Sequence, residues 1–247
     1  MSAVKHLKTY LSQARRLRRA HPGAPGWSEL ARYFGVWRRS LGGEANPVAD
    51  ERPWITFPAI EFLERTLTRD MRVFEYGAGG STLFFATRVK EVVSIEHEGA
   101  WARRVSEACA EKGRPELTIR LVEPACGEAR GTNPADPDGY TSSAPQYAGC
   151  SFHAYAASID AHPDESFDVV LIDGRARPSC CKHAMGKVRI GGHLVLDNAE
   201  RGHYRGIHEA LQFPCWQGQN LSGPGPYNTG FWQTFAWKKL RAVPARA

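Results

Sequence analysis

Four short apolar runs in this chain of 247 residues each stop at a carboxylate. Glu75 follows RVF, Glu96 closes EVVSIE, Asp173 follows FDVVLI and Asp197 follows HLVL. The first leads straight into a glycine turn. From Arg72 to Thr82 the sequence is RVFEYGAGGST, which predicts a strand, a tight turn and the start of a helix. Glycine permits positive φ and lets a ligand approach the backbone closely. A helix beginning near Ser81 offers unpaired N–H groups and the positive end of its dipole. The turn is built to hold something polar or anionic.

A dinucleotide fingerprint has the form G-x-G-x-x-G. From Gly77 this chain has G-A-G-G-S-T, so Thr82 stands at the third glycine position. Glu75, two residues before Gly77, would repel a pyrophosphate and suits a cationic head such as an amino group. Glu96 lies about 20 residues beyond Glu75, where a carboxylate grips ribose hydroxyls. Acid, glycine turn and second acid together resemble the class I S-adenosylmethionine (SAM)-dependent methyltransferases. The resemblance implies that Glu75, Gly77, Ala78, Gly79, Ser81 and Thr82 hold the methionine part of SAM. It implies that Glu96 holds the ribose, with His97 and Asp173 completing the cofactor contacts.

Asp173, Asp197 and Asn198 form a second group. Two carboxylates and an amide oxygen are hard ligands that suit Mg²⁺. The set resembles the metal site of catechol-type O-methyltransferases, where the ion lowers the pKa of a substrate hydroxyl and orients it. That family places a lysine base three residues after the first Asp; this chain has Ala176 there. Arg175 and Arg177 flank the position. Guanidinium is too basic to take a proton at neutral pH, but it could anchor an acidic substrate. His203 and Asp173 are the expected catalytic residues, because imidazole titrates near neutrality. His183 and Lys182 stay open as alternative bases.

These residues must be delivered by alternating strands and helices. The pattern predicts strands at 72–75, 92–96, 117–122, 167–172 and 193–197, with helices near 81–89, 99–111, 152–161, 179–188 and 203–213. Strands apolar on both faces and joined by helices make a covered parallel sheet. A sixth strand is placed at 216–221 and a closing antiparallel strand at 231–237. The expected fold is α/β, a Rossmann-like and mostly parallel seven-stranded sheet with helices on both faces. Residues 53–58 lead into a helix bearing Ile60, Leu63 and Leu67, with Trp54 and Phe57 as candidate pocket-lining aromatics. The connection 123–151 is long for a compact domain and falls over the carboxyl edge of the sheet. Tyr140, Cys150, Ser151 and Phe152 are its candidate adenine contacts by the resemblance.

The net charge is +6 at pH 7. Residues 1–40 hold nine Lys or Arg and one acid, so the remaining 207 residues carry −2. The expected domains are a basic helical arm with linker over 1–52 and a SAM-dependent methyltransferase domain over 53–247. In the arm, Val4, Leu7, Leu11, Ala14 and Leu17 form a helical stripe with a basic back. Such an arm packs on its own domain, on a second copy in a homodimer, or peripherally on an anionic membrane surface; the three stay open. No run of about 18 apolar residues predicts a membrane span. The six cysteines lack C-x-x-C spacing, which predicts reduced thiols in the cytoplasm.

The expected reaction is O-methylation of a small-molecule or sugar-bearing (glycan-type) acceptor. Nucleic acid is not the expected partner, since DGRARP follows the fourth strand in place of an Asn/Asp-Pro-Pro-aromatic run. Pro178-Ser179-Cys180 and Pro214-Cys215 are poor matches to a cytosine-methylating Pro-Cys nucleophile. A nicotinamide oxidoreductase is opposed by Glu75 and the missing third glycine. A non-catalytic scaffold on the same fold is the remaining alternative.

Overall fold

Seven of the apolar runs assemble into a single sheet. Its strands are β1 (Arg72–Tyr76), β2 (Glu91–Glu96), β3 (Ile119–Leu121), β4 (Phe167–Ile172), β5 (Val188–Asp197), β6 (Trp216–Asn220) and β7 (Thr234–Lys239). The computed structural model describes residues 3–21, 23–43, 45–114, 117, 119–129 and 131–242. Pro22 of the arm, Glu44 of the linker, Thr118 of the expected third strand and Arg130 of the long connection lie outside the described residues, as do positions 243–247.

The strand order is β3-β2-β1-β4-β5-β7-β6. β1 to β5 run parallel, and β7 is antiparallel to both its neighbours. The chain builds outward from β1 through β2 to β3, then crosses over to β4 and β5. The reversal lies between β1 and β4, which pair from Val73 with Val169 to Tyr76 with Ile172. Their carboxyl ends therefore deliver the glycine turn and Asp173 side by side. Ligands bind at such a switch point in open α/β sheets.

Period-two alternation explains why both faces are covered. Phe74, Tyr76, Val170, Ile172 and Leu196 point to one face, against Tyr155, Cys180, Ala184 and Ile207. Those come from α6 (His153–Ala156), α7 (Arg177–Lys187) and α8 (Arg205–Ala210). Val73, Val169, Leu171, Val195 and Ala236 point to the other, against Ile60 and Leu63 of α3 (Phe57–Thr66) and Phe84 and Phe85 of α4 (Gly80–Ala86). α5 (Gly99–Glu111) covers the β2–β3 side through Val105 and Cys109.

The arm comprises α1 (Ala3–Ala20) and α2 (Trp27–Ser40). Tyr10, Tyr33 and Trp37 join the same core as Val73 and Val195. The Tyr10 hydroxyl donates to the Leu30 carbonyl at 2.6 Å, and Trp37 Nε1 donates to the Asn228 carbonyl at 2.9 Å. The buried stripe of α1 is Tyr10, Ala14 and Leu17. Val4, Leu7 and Leu11, expected within it, face outward. Tyr10 takes the inward position because its ring packs edge-on against Phe34, Trp37 and Phe231.

Three other expectations change. The closing strand divides: Phe231–Trp232 pairs with Gly223–Pro224, and β7 begins only at Thr234. The helices expected at 152–161 and 203–213 shorten to α6 and α8, each joined to a 3₁₀ turn, Ala157–Ala161 and Gly202–Tyr204. A disulfide joins Cys126 to Cys150 across the ladder of Ala125–Cys126 with Cys150–Ser151. That corrects the expectation of six reduced thiols: antiparallel pairing of segments 24 residues apart brings the two Cβ atoms together, which no local spacing reveals. Cys109, Cys180, Cys181 and Cys215 take no part in a disulfide. Among the described residues no helix is long and apolar enough to cross a membrane.

Candidate active site

A cavity of about 780 Å³ opens at the carboxyl ends of β1, β2, β4 and β5, within the size range of small-molecule sites. Gly77, Ala78, Gly79, Ser81, Glu96, His97, Asp173, Asp197 and Asn198 all line it. Glu75, Thr82 and His203 do not.

The glycine turn forms one wall. Gly77 has φ +97°, and a Cβ there would stand 3.0 Å from the Gly174 backbone nitrogen. Only glycine suits both conditions. Gly79 is extended, with φ 174°. A Cβ on Gly79 would find Trp101 as its nearest neighbour, at 3.9 Å. The turn is thus tight against β4 and open toward the cavity. Trp101 Nε1 donates to the Ala78 carbonyl at 2.7 Å and holds the turn from the α5 side.

Glu96 is presented by the backbone. Its Oε2 accepts from Ala78 N at 3.1 Å, and its Oε1 accepts from His97 N at 2.7 Å and Glu98 N at 2.9 Å. Glu98 in turn caps α5, accepting from Ala100 N and Trp101 N. Three charge-assisted hydrogen bonds fix the carboxylate while it still lines the cavity. The His97 ring lies 5.3 Å from that of Tyr147. Tyr147 and Gln146 reach the cavity from the 3₁₀ turn Pro145–Tyr147 in the long connection. Tyr140, Cys150, Ser151 and Phe152, the expected adenine contacts, are not among the lining residues. Tyr140 instead meets His183 Nε2 at 3.2 Å, and Phe152 is core. Of the expected aromatics, Trp54 lines the cavity, whereas Phe57 is buried, stacked on Tyr33.

Glu75 and Thr82 are corrected. Glu75 is fully buried beneath the turn, its Oε1 accepting from Ser94 Oγ at 2.5 Å and from Thr82 Oγ1. Thr82 Oγ1 also accepts from Gly79 N at 3.1 Å. The two residues brace the turn from below, and Glu75 Oε2 is left without a partner. Burial pushes the Glu75 carboxyl up to about 7, against the pull of the hydroxyl donors.

The opposite wall is organised by Arg177. Its Nε donates to the Gly174 carbonyl at 3.0 Å. Its Nη2 donates to the Asp173 carbonyl at 3.0 Å and to Asp173 Oδ1 at 2.9 Å, and its Nη1 donates to the Asp197 carbonyl. Asp197 Oδ1 accepts from Trp232 Nε1 at 2.8 Å and Thr234 Oγ1 at 2.6 Å. Asn198, with φ +50°, accepts from Arg201 Nη2 at 2.6 Å. Burial pushes the Asp197 carboxyl up to about 7, reinforced by Asp173 and opposed by Arg177. Asp173 is also raised by burial, with Arg177 pulling it back.

These partners decide the metal question. Each of the three expected ligands already has an oxygen engaged by a donor, and a buried guanidinium stands between the strand ends where a cation would be needed. With the Asn198 amide oxygen taken by Arg201 and one oxygen of each aspartate taken by a donor, the set does not fit a divalent ion. His203 lies in a smaller cleft beside the cavity, its ring 4.3 Å from that of Tyr204. Burial lowers its pKa, with Arg201 and Arg177 adding to the effect.

Sequence reasoning did not single out Trp101, Gln146, Tyr147 or Trp232. Trp101 carried one readable signal, an aromatic in the first turn of a helix capped by Glu98 just after Glu96. The others depend on contacts distant in sequence.

No family model matches the chain, and no curated protein matches it in sequence. Solved structures do. An O-methyltransferase from Bacillus cereus, solved with S-adenosylhomocysteine (SAH), is 14% identical, with 94% of this chain and 100% of that one covered and a TM-score of 0.51. A methyltransferase from Geobacter sulfurreducens is 12% identical, with 85% and 96% covered and a TM-score of 0.52. An rRNA methylase from Streptococcus thermophilus is 14% identical, with 76% and 100% covered and a TM-score of 0.50. At these identities the likeness is one of architecture: the chain has the Rossmann-like fold of the SAM-dependent methyltransferases.

Proposed function

We propose that the protein is a class I SAM-dependent methyltransferase acting on a hydroxyl of a small-molecule or sugar-bearing acceptor. The observation that carries the reading is the wall formed by Gly79 and Glu96. An open glycine and a carboxylate fixed by three backbone N–H groups face one cavity at the switch point of this fold. Glu96 would accept hydrogen bonds from the ribose hydroxyls, and Gly79 leaves room for the amino-acid part. SAM supplies a methyl group already activated on a sulfonium. The protein's task is then to align the nucleophile and exclude water.

On the facing wall, Asp197 is the group suited to take the acceptor's proton. It lines the cavity, and burial brings its carboxyl close to neutrality, where a general base is most effective. Trp232 and Thr234 hold its other oxygen and set its orientation. Neighbours of this fold include an O-methyltransferase and an rRNA methylase, so architecture alone does not choose between them. The near-neutral body supports a small acceptor over a nucleic acid.

Calorimetric titration with SAH, with NADH as control, tests the cofactor. Micromolar SAH binding with none of NADH is expected. The reverse would sink the reading and restore the oxidoreductase.

A further inference from the structure

Three arginines, Arg175, Arg177 and Arg201, crowd the β4–β5 edge of the cavity. Arg177 is fully engaged by two carbonyls, a carboxylate and the Gly174 carbonyl. The other two are not. Arg175 Nε is buried without a hydrogen-bond partner, and the guanidinium lies 5.8 Å from the Tyr147 ring centre. Arg201 meets only the neutral amide oxygen of Asn198. Among the described residues neither has a carboxylate at ion-pair distance.

Both arginines also line the smaller cleft that adjoins the cavity, together with Ser142 and His203. None of that cleft's lining residues is acidic. His203 Nε2 is a second buried nitrogen without a partner. The Ser142 oxygen accepts from Ala144 N at 3.2 Å, which leaves its hydroxyl hydrogen free to donate. The unsatisfied groups here are therefore donors, apart from the imidazole nitrogen, which donates in one tautomer.

Asp173, Asp197 and Glu200 also line the cavity and would repel an anion. Arg177 pairs with Asp173, burial pushes the Asp197 carboxyl toward neutrality, and Glu200 Oε2 accepts from Gln233 N at 3.0 Å. The adjoining cleft, lined by Arg175, Arg177 and Arg201 and by no acid, is the positive end of this edge. A partly desolvated guanidinium without a counter-charge is costly. Its planar fork matches an oxyanion in bidentate fashion.

We propose that the methyl acceptor carries an oxyanion, a carboxylate or a phosphate, which Arg175 and Arg201 hold beside the Asp197 edge. The proposal rests on the methyltransferase reading for the word acceptor, and on the two arginines for the charge. It turns a hydroxyl compound of unspecified kind into an acidic one, such as a uronic acid or a sugar phosphate. The anchor would place the acceptor's far end, leaving a hydroxyl near Asp197.

The test is calorimetry on the full chain saturated with SAH. Inorganic phosphate and glucuronate are the probes, and glucose is the neutral control. Millimolar binding of at least one anion and none of glucose is expected. Phosphate alone would specify a phosphate ester, and glucuronate alone a carboxylate. Arg175→Gln and the more exposed Arg201→Gln should each weaken the anion at least tenfold while SAH affinity stays within twofold. Near-UV circular dichroism checks that both variants are folded. Absence of any anion binding to the SAH-loaded protein overturns the proposal. So does a parallel loss of SAH affinity in both variants, which would assign the arginines to the cofactor's own carboxylate. Failure of the native protein to bind SAH would sink the cofactor reading instead. The same anion titration without SAH would then still decide the arginine pair.

Discussion

The two walls of the cavity satisfy their acids by different means. On the β1–β2 wall, Glu96 is held by backbone N–H groups of Ala78, His97 and Glu98, and Glu75 by the hydroxyls of Thr82 and Ser94. On the β4–β5 wall, Asp197 is held by Trp232 and Thr234, and Asp173 by Arg177. The acids of the first wall are held by backbone N–H and hydroxyl donors. The second wall draws on Trp232 and Thr234, 35 and 37 residues from Asp197, and on Arg177, a permanent cation four residues from Asp173. The first wall suits a fixed cofactor, and the second is free to vary with an acceptor.

The sharpest way to break this contrast is to remove the cation. Arg177→Met takes away the guanidinium that pairs with half-buried Asp173 and opposes the charge of buried Asp197, and breaking such a pair costs about 3–5 kcal/mol. Urea unfolding at neutral pH should show a loss of that size. Arg177→Lys should recover only part of it, because a point charge cannot serve the four acceptors that the fork reaches. A loss below about 1 kcal/mol would mean that the acids have another counter-charge, and the β4–β5 wall would be misread.

On the first wall the corresponding experiment separates binding from folding. Gly79→Arg should keep the fold, since the backbone is extended and the position open. Its side chain would fill the cofactor space and weaken SAH by a factor of about 100 or more, roughly 2.7 kcal/mol. Gly77→Ala should do the opposite. With φ +97° and the Gly174 backbone at 3.0 Å, it should cost about 1–3 kcal/mol of stability. Unchanged SAH affinity in folded Gly79→Arg would remove the turn from the binding site.

The contrast also explains what could be read in advance. The turn, Glu96 and the strand order follow from runs, glycines and spacings of a few residues. Trp232 and Thr234 reach Asp197 across 35 and 37 positions, so Asp197 looked like a free metal ligand. Glu75 was expected to face the ligand because it ends a strand. Its orientation depends on Ser94, on the neighbouring strand 19 residues away. The Cys126 to Cys150 bridge and the placement of Tyr147 sit in a connection with no hydrophobic period to read. His203 is expected from its imidazole chemistry alone, which does not reveal position; its ring lies in the cleft that adjoins the cavity.

A pH experiment sharpens the Glu75 assignment. Its carboxyl is raised from 4.5 to about 7 in the folded protein. The native state therefore holds more protons than the unfolded state between those values. Stability falls as pH rises through that window, and the loss is complete above it. At about 1.4 kcal/mol per unit the penalty has an upper bound of about 3 kcal/mol. Glu75→Gln keeps an acceptor for Ser94 and Thr82 and cannot ionise. Thermal unfolding from pH 4.5 to 8 should show a shallower decline in the variant and higher stability than the native protein at pH 8. Some slope should remain, because Asp197 is raised in the same direction. Identical pH profiles would mean that Glu75 is solvated and not braced under the turn.

The smallest expected effect separates guanidinium from metal most directly. An ion bound to the native state alone, present at 100 times its dissociation constant, would add about 2.7 kcal/mol to stability. If Arg177 is the cation of the β4–β5 wall, then 10 mM Mg²⁺ or excess EDTA should leave both the unfolding midpoint and SAH affinity unchanged. The Arg177→Met variant gives this null result its force. With the guanidinium removed, Asp173 and Asp197 become a plausible ion site, and Mg²⁺ should then stabilise the variant but not the native protein. Stabilisation of the native protein by Mg²⁺ would show that Arg177 and an ion coexist, and that the wall has a vacancy the guanidinium does not fill.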